Sequence, residues 1–231
     1  HKKQFFEMPA ATSTQCTLVP PKLACRSAKS EDPIEVSIHT LPKPLIREFN
    51  HVFGEKYLNS VDIGGGENRH ANNSIDSGGN DGDGDAMMVD EDMNTGGGGT
   101  GDHLPLELLA LPTNQQARLD LVAVGDDVEA EKDRLLNCFM EFGEQVCQKI
   151  RHRGFWADYI DPCSGLPMLT RDCNKVYSEV DGMECLLNYR AHNAGFCKVL
   201  THPRWGSAVY PATMFCYAPR DVVVEIVAGF Y

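Results

Sequence analysis

The chain has 231 residues, with 33 acidic against 21 basic side chains, a formal net charge of −12 and 42% hydrophobic residues. The charge is uneven: residues 62–101 hold 12 of the 21 glycines and nine acidic residues against one basic, so this tract carries −8 and the other 191 residues only −4. A nearly balanced globular domain follows, and a polyanion-binding surface is excluded, so no nucleic-acid partner is expected. No apolar run reaches the roughly 18 residues of a bilayer crossing. The best, residues 205–219, is uncharged but is only 15 residues long and is broken by Pro211. The sequence opens at His1, so a targeting leader cannot be read from it.

Residues 1–33, rich in Pro, Ser, Thr and Lys, read as an extended N-terminal arm. Residues 34–231 read as a single α+β domain interrupted by the acidic, Gly-rich insertion at 62–101. Ile34, Val36 and Ile38 alternate with Glu35, Ser37 and His39, the period of a half-buried strand, which leaves His39 facing solvent. Pro44 and the spacing of Leu45, Ile46, Phe49, Val52 and Phe53 predict a short helix stopped by Gly54. The tract 62–101 has too little apolar surface to offset chain entropy and is expected to be disordered. Within it, Asp81, Asp83 and Asp85 imitate the start of a calcium loop, but Ala86 replaces the required Gly and Asp92 the terminal Glu.

Residues 119–124, nearly continuously apolar and bounded by Gly125, predict a central strand. Asp126, with Glu129 three places on, reads as the cap of a long helix whose stripe is Leu135, Phe139, Phe142, Val146 and Ile150. Lys149, Arg151, His152 and Arg153 complement its negative end and Gly154 terminates it. A strand follows, with Phe155, Ala157 and Tyr159 facing one way and Trp156, Asp158 and Ile160 the other. Residues 170–194 read as a polar surface excursion, and 196–200 and 207–217 as β-rich segments. Residues 222–227 fit either a strand or a helix. The order β, α, β, α, β, β, β gives an α+β class with a largely antiparallel sheet and covering helices.

Dinucleotide, P-loop, zincin and nucleophile-elbow signatures are missing. Asp158 and Asp161 lie three apart on one strand and so point to opposite faces, which disfavours paired acid and base work. Nine cysteines, with no C-x-x-C, read as reduced thiols, and Cys138 and Cys147 as helix-stripe packing. Cys197 reads two ways. It is either a small core residue or a thiolate favoured by the adjacent Lys198 and nearby His192, placed where the polar segment 192–195 enters a strand. His202 falls on the opposite face of a straight strand and is a poor co-ligand for it. Trp156 and Trp205 read as large packing side chains.

Two blocks carry a resemblance: Gly154-Phe-Trp-Ala-Asp-Tyr-Ile-Asp-Pro-Cys-Ser-Gly-Leu166 and Gly195-Phe-Cys-Lys-Val-Leu-Thr-His-Pro-Arg-Trp-Gly206. With the weaker Glu35-Val-Ser-Ile-His-Thr-Leu-Pro42, they make the chain resemble the cblD class of cobalamin-trafficking proteins, the methylmalonic aciduria and homocystinuria type D protein family. The resemblance spans roughly residues 34–54 and 118–217. It implies a nitroreductase-like fold without a flavin site and a non-enzymatic adaptor working in the cytoplasm, the mitochondrion or both. Such an adaptor docks with a cblC-class cobalamin-processing protein, so that cobalamin reaches methionine synthase and methylmalonyl-CoA mutase. It binds no cofactor alone and meets cobalamin in the complex.

By the same resemblance Cys197 is the thiolate offered to cobalt; the segment 186–197, with Tyr189, Arg190 and His192, is the expected partner-facing stretch. Two departures stand out. Phe196 occupies a position that is cysteine in the relative compared, which leaves one thiolate instead of two, and the 62–101 insertion replaces a short connection. The alternatives are a flavin-dependent nitroreductase-like oxidoreductase, which needs a basic phosphate pocket, and a thiol-redox protein using several cysteines.

Overall fold

The computed structural model of the protein describes residues 16–19, 34–54, 105–195 and 197–230. The acidic insertion, its calcium-like spacing and most of the N-terminal arm lie outside them. The strands are β1 (Cys16–Val19), β2 (Ile34–Thr40), β3 (Leu106–Gln116), β4 (Trp156–Tyr159), β5 (Arg190–Ala194), β6 (Cys197–Thr201) and β7 (Val209–Pro219). The helices are α1 (Lys43–Phe53), α2 (Asp126–His152), α3 (Glu179–Leu187) and α4 (Arg220–Ala228). Five strands form an antiparallel sheet in the order β1-β2-β3-β7-β4, and β5 and β6 form a separate hairpin. The mixed α and β composition and the antiparallel sheet agree with the sequence reading. The order of elements does not, because β1, β3, α3, β5 and α4 were not resolved by it.

The central strand is β3, not residues 119–124. It pairs along its whole length with β7, from Leu106 opposite Pro219 to Gln116 opposite Val209. Because β7 begins there, no strand among the described residues pairs residues 119–124. They run as a surface loop in which Leu119, Val122 and Val124 are exposed, Val124 by 99%. Pro112 sits inside β3, yet pairing to β2 is made at Val36 with Thr113 and at His39 with Ala110 and not between them, so its missing N–H costs little.

Both faces of the sheet are covered. On one, Val36, Ile38, Leu109, Leu111, Met214 and Ala157 pack under α2 and α4. On the other, Leu108, Ala110, Ile160 and Phe215 meet Leu45, Phe49, Val52 and Phe53 of α1. Phe49 and Phe53 are edge-on to Trp156 and Phe215 at centroid distances of 5.1–5.7 Å. Trp156 therefore packs as expected. This double coverage also corrects the half-buried reading of β2. Ser37 and His39 are buried as well, with His39 Nε2 2.8 Å from Ser37 Oγ. Burial, and secondarily the Arg220 guanidinium, lower the His39 pKa to about 4, so the ring is neutral.

Helix α2 follows its predicted stripe, with Leu135, Phe139, Phe142, Val146 and Ile150 buried. Its cap is Gly125, with no side-chain hydrogen bond, so Asp126, Asp127 and Glu129 act through their charge on the first turn. Cys147 is buried and free, as packing requires. Cys138 is disulfide-bonded, which corrects the all-reduced reading. Residues 222–227 are helical, within α4, because Pro219 ends β7 and Val223, Ile226 and Val227 form a buried face at helical spacing. At the start of α4 the Arg220 guanidinium reaches Ile38 O at 3.2 Å, Thr40 Oγ1 at 2.6 Å and Glu107 Oε2 at 3.0 Å, tying the helix to β2 and β3.

The strand β4 lies at the edge of the sheet, and its outer carbonyls are occupied. Ala157 O accepts from Arg151 Nε at 2.7 Å, and Tyr159 O from Met168 N–H at 3.0 Å. The buried Asp158 carboxylate holds the same flank. It accepts the N–H groups of Tyr159 and Leu169 on Oδ1, at 2.7 and 2.9 Å, and that of Thr170 on Oδ2 at 2.6 Å. Asp161, facing away, accepts from Cys163 N–H and from the Ser164 hydroxyl in a turn. Neither carboxylate is paired with the other, as the strand alternation predicts. Among the described residues no helix is long and apolar enough to cross a membrane.

Candidate functional site

The segment 178–206 carries every residue singled out for function. The Ser178 hydroxyl accepts from Asp181 N–H at 3.3 Å and starts α3, and Asn188, in a left-handed conformation with φ of 53°, ends it. This helix and the strand after it replace what the sequence presents as a polar excursion. Its buried anchor is Met183, which packs with Leu200 of β6 and Val209 of β7, flanked by Val180, Leu187, Tyr189 and Trp205.

The hairpin β5–β6 is closed by two positions only. Ala194 stands opposite Cys197, His192 opposite Val199 and Arg190 opposite Thr201. Gly195 opens the turn with φ of 65°, which a glycine adopts without strain. Cys197 thus occupies the first position of β6, beside the turn, and Phe196 lies outside the described residues. Arg190 and His192 are exposed, and His192 Nδ1 is 3.3 Å from Thr201 Oγ1. Tyr189 is different. It is half-buried, edge-on to His202 at 5.1 Å, and burial raises its hydroxyl pKa to about 12.

Lys198 does not supply the free cation expected beside Cys197. Its ammonium is 2.6 Å from Asp181 Oδ1 and 2.5 Å from Glu184 Oε2, two carboxylates of α3, and these bonds raise its pKa. The Lys198 charge is thus compensated by two anions of α3. His202 is also committed elsewhere. It is buried, accepts the N–H groups of Arg204 and Trp205 on Nδ1 at 3.2 and 3.3 Å, and stacks on Trp205 at 4.0 Å. With Nδ1 accepting, Nε2 bears the proton and points to Glu35 Oε2 at 3.4 Å, while Arg204 pairs with the other oxygen of Glu35. Burial lowers the His202 pKa, which favours this neutral form. Trp205 therefore packs, and the 202–206 loop is tied to β2.

Sequence reasoning missed Glu179. The residue is half-buried but its carboxyl is enclosed, accepting Thr213 N–H at 3.0 Å and the Thr213 hydroxyl at 2.6 Å, and burial raises its pKa to about 7. Only its position in a first helical turn hinted at it, and the helix itself was not read. Among the described residues no group of three or more His, Cys, Asp or Glu stands ready to hold a metal ion.

Comparisons with known proteins meet this region. Cobalamin trafficking protein CblD of Rattus norvegicus is 32% identical over 115 residues, which are 50% of this chain and 39% of that protein. The Homo sapiens protein of the same name matches to the same extent, and that of Gallus gallus is 32% identical over 114 residues, 38% of its length. The chain thus spans under half the length of the curated relatives it matches. The family described as methylmalonic aciduria and homocystinuria type D protein matches residues 105–226, from the start of β3 to the last turn of α4 and more than half of the chain, and the chain belongs to that family.

Proposed function

We propose that this protein is a non-enzymatic adaptor of cobalamin trafficking, which docks with a cblC-class cobalamin-processing protein and offers the Cys197 thiolate to the cobalt of the cobalamin held there. The observation that carries the reading is the place of Cys197. It begins β6 at the turn of a hairpin outside the main sheet, within the stretch that matches the family. A hairpin tip is the part of a domain best able to enter a partner's pocket, and sulfur is a ligand suited to a soft metal centre. With Lys198 held by α3, the thiolate forms in the complex, where the cobalt itself favours the deprotonated sulfur. Arg190 and His192, exposed on β5, belong to the docking surface, with Tyr189 supporting them from the small core.

In this reading the antiparallel sheet covered by helices is a nitroreductase-like scaffold without flavin. The adaptor acts in the cytoplasm, the mitochondrion or both, ahead of methionine synthase and methylmalonyl-CoA mutase. The test is to mix the purified chain with a cobalamin-loaded cblC-class protein, recording co-elution and the visible spectrum. The wild-type complex shows a sulfur-to-cobalt absorption change. Cys197→Ser keeps its thermal midpoint and still co-elutes, but lacks the change. An identical spectrum for wild type and variant would remove Cys197 from the mechanism, and a yellow preparation would favour a flavoenzyme.

A further inference from the structure

We propose that Glu179 is a positioning residue for the Cys197 hairpin, and that the charge on its carboxyl sets how firmly α3 and the hairpin are held to the central sheet. The inference rests on the adaptor reading for its functional meaning, though not for its physical content. The connection is continuous. The Glu179 carboxyl takes both the N–H and the hydroxyl of Thr213, in the middle of β7. Glu179 is the first residue of α3, and Asp181 and Glu184 of that helix hold Lys198, the neighbour of Cys197. Met183 of the same helix packs on Leu200 of β6, two residues farther along the strand.

The surroundings of the carboxyl give its ionisation a cost. Thr213 bonds it from β7, and the hydroxyls of Tyr210 on β7 and Tyr177 in the preceding segment feel its charge; one layer out, Asp161 and Cys163 of the turn after β4 act on Tyr210, and Glu48 of α1 and Cys185 of α3 act on Tyr177. None of these is a cation. The Tyr177 hydroxyl is buried without a well-formed hydrogen bond. Among the described residues the Thr213 bonds and the amino end of α3 favour the charge, and burial outweighs them, which puts the transition at about 7. A neutral carboxyl keeps α3 seated. As it ionises, an enclosed anion with no counter-ion among the described residues loosens the seat and with it the hairpin.

The experiment follows amide hydrogen exchange in the full chain, without partner, from pH 6 to 8.5, corrected for intrinsic rates. Protection of residues 190–201 is expected to fall severalfold relative to β3 and β7 as pH rises through about 7. Glu179→Gln accepts the Thr213 N–H on its amide oxygen and donates its amide N–H to the Thr213 hydroxyl, but cannot ionise, so its profile is flat. A merely structural residue would shift protection at every pH and leave the profile unchanged. If Glu179→Gln retains the wild-type profile, the proposal is overturned. If that variant does not fold, Thr213→Val replaces it. Losing the hydroxyl bond moves the transition to higher pH, and an unmoved transition overturns the proposal equally. A second arm measures binding to the cobalamin-loaded cblC-class protein over the same range. A pH-dependent hairpin together with no binding at any pH supports Glu179 in its role while rejecting the adaptor reading.

Discussion

Asp158 illustrates how one side chain can be legible in direction and illegible in purpose. Strand alternation already separates it from Asp161, and the structure keeps them on opposite sides. Its task is to gather the N–H groups of residues returning past β4, and no local pattern announces that residues 168–170 come back to it. Asp158→Ala leaves those donors buried without an acceptor, at a cost of about 2–4 kcal/mol. Urea denaturation should show the midpoint lowered at an unchanged slope, and limited proteolysis should cut first near residues 167–170. Lys198 teaches the converse. Its charge is plain in the sequence, but the two carboxylates that hold it lie 14 and 17 residues away on a helix the sequence does not advertise.

The elements that could be read are those specified within their own residues. Helix α1 announces itself through Pro44, the apolar spacing and Gly54, and α2 through its stripe and its basic end. Strand β3 and the loop at 119–124 exchange roles because a strand is fixed by its neighbours. Both stretches are apolar, and what separates them is where β7 begins, almost a hundred residues later. Helix α3 was missed because it buries only a narrow face, at Gly182 and Met183. Prediction at this scale concerns the aromatic seat of α1. Phe53 is 2% exposed, with Phe49, Trp156 and Phe215 rings within 4.6–5.7 Å. Phe53→Ala should cost about 3–5 kcal/mol by equilibrium unfolding, since four interlocked rings cannot collapse onto the space left. Phe53→Leu should recover most of it.

Across the whole molecule, two enclosed groups set opposing pH dependences. His39 titrates near 4 in the fold and near 6.5 when unfolded, so the unfolded chain binds protons more readily and stability is lost as pH falls between those values. Glu179 titrates near 7 in the fold and near 4.5 when unfolded, so its contribution is largest below 4.5 and is lost as pH rises to about 7. Between about 4.5 and 6.5 the two slopes offset one another. Thermal melts at closely spaced pH should therefore change little from these groups in the wild type. Glu179→Gln should expose a profile that climbs with pH, and His39→Gln one that descends; matching slopes in the two variants would contradict the assignment. The family's motif blocks point to the candidate site from the sequence alone, whereas the contacts of α3 with Thr213 and the hairpin depend on pairings across the fold.

The occupied flank of β4 reaches beyond the single chain. With Arg151 on Ala157 O and Met168 on Tyr159 O, that margin offers an incoming peptide no free run of acceptors. Templated growth of the sheet from copy to copy is blocked on this side. A second copy of the chain is thereby denied a seat along this edge.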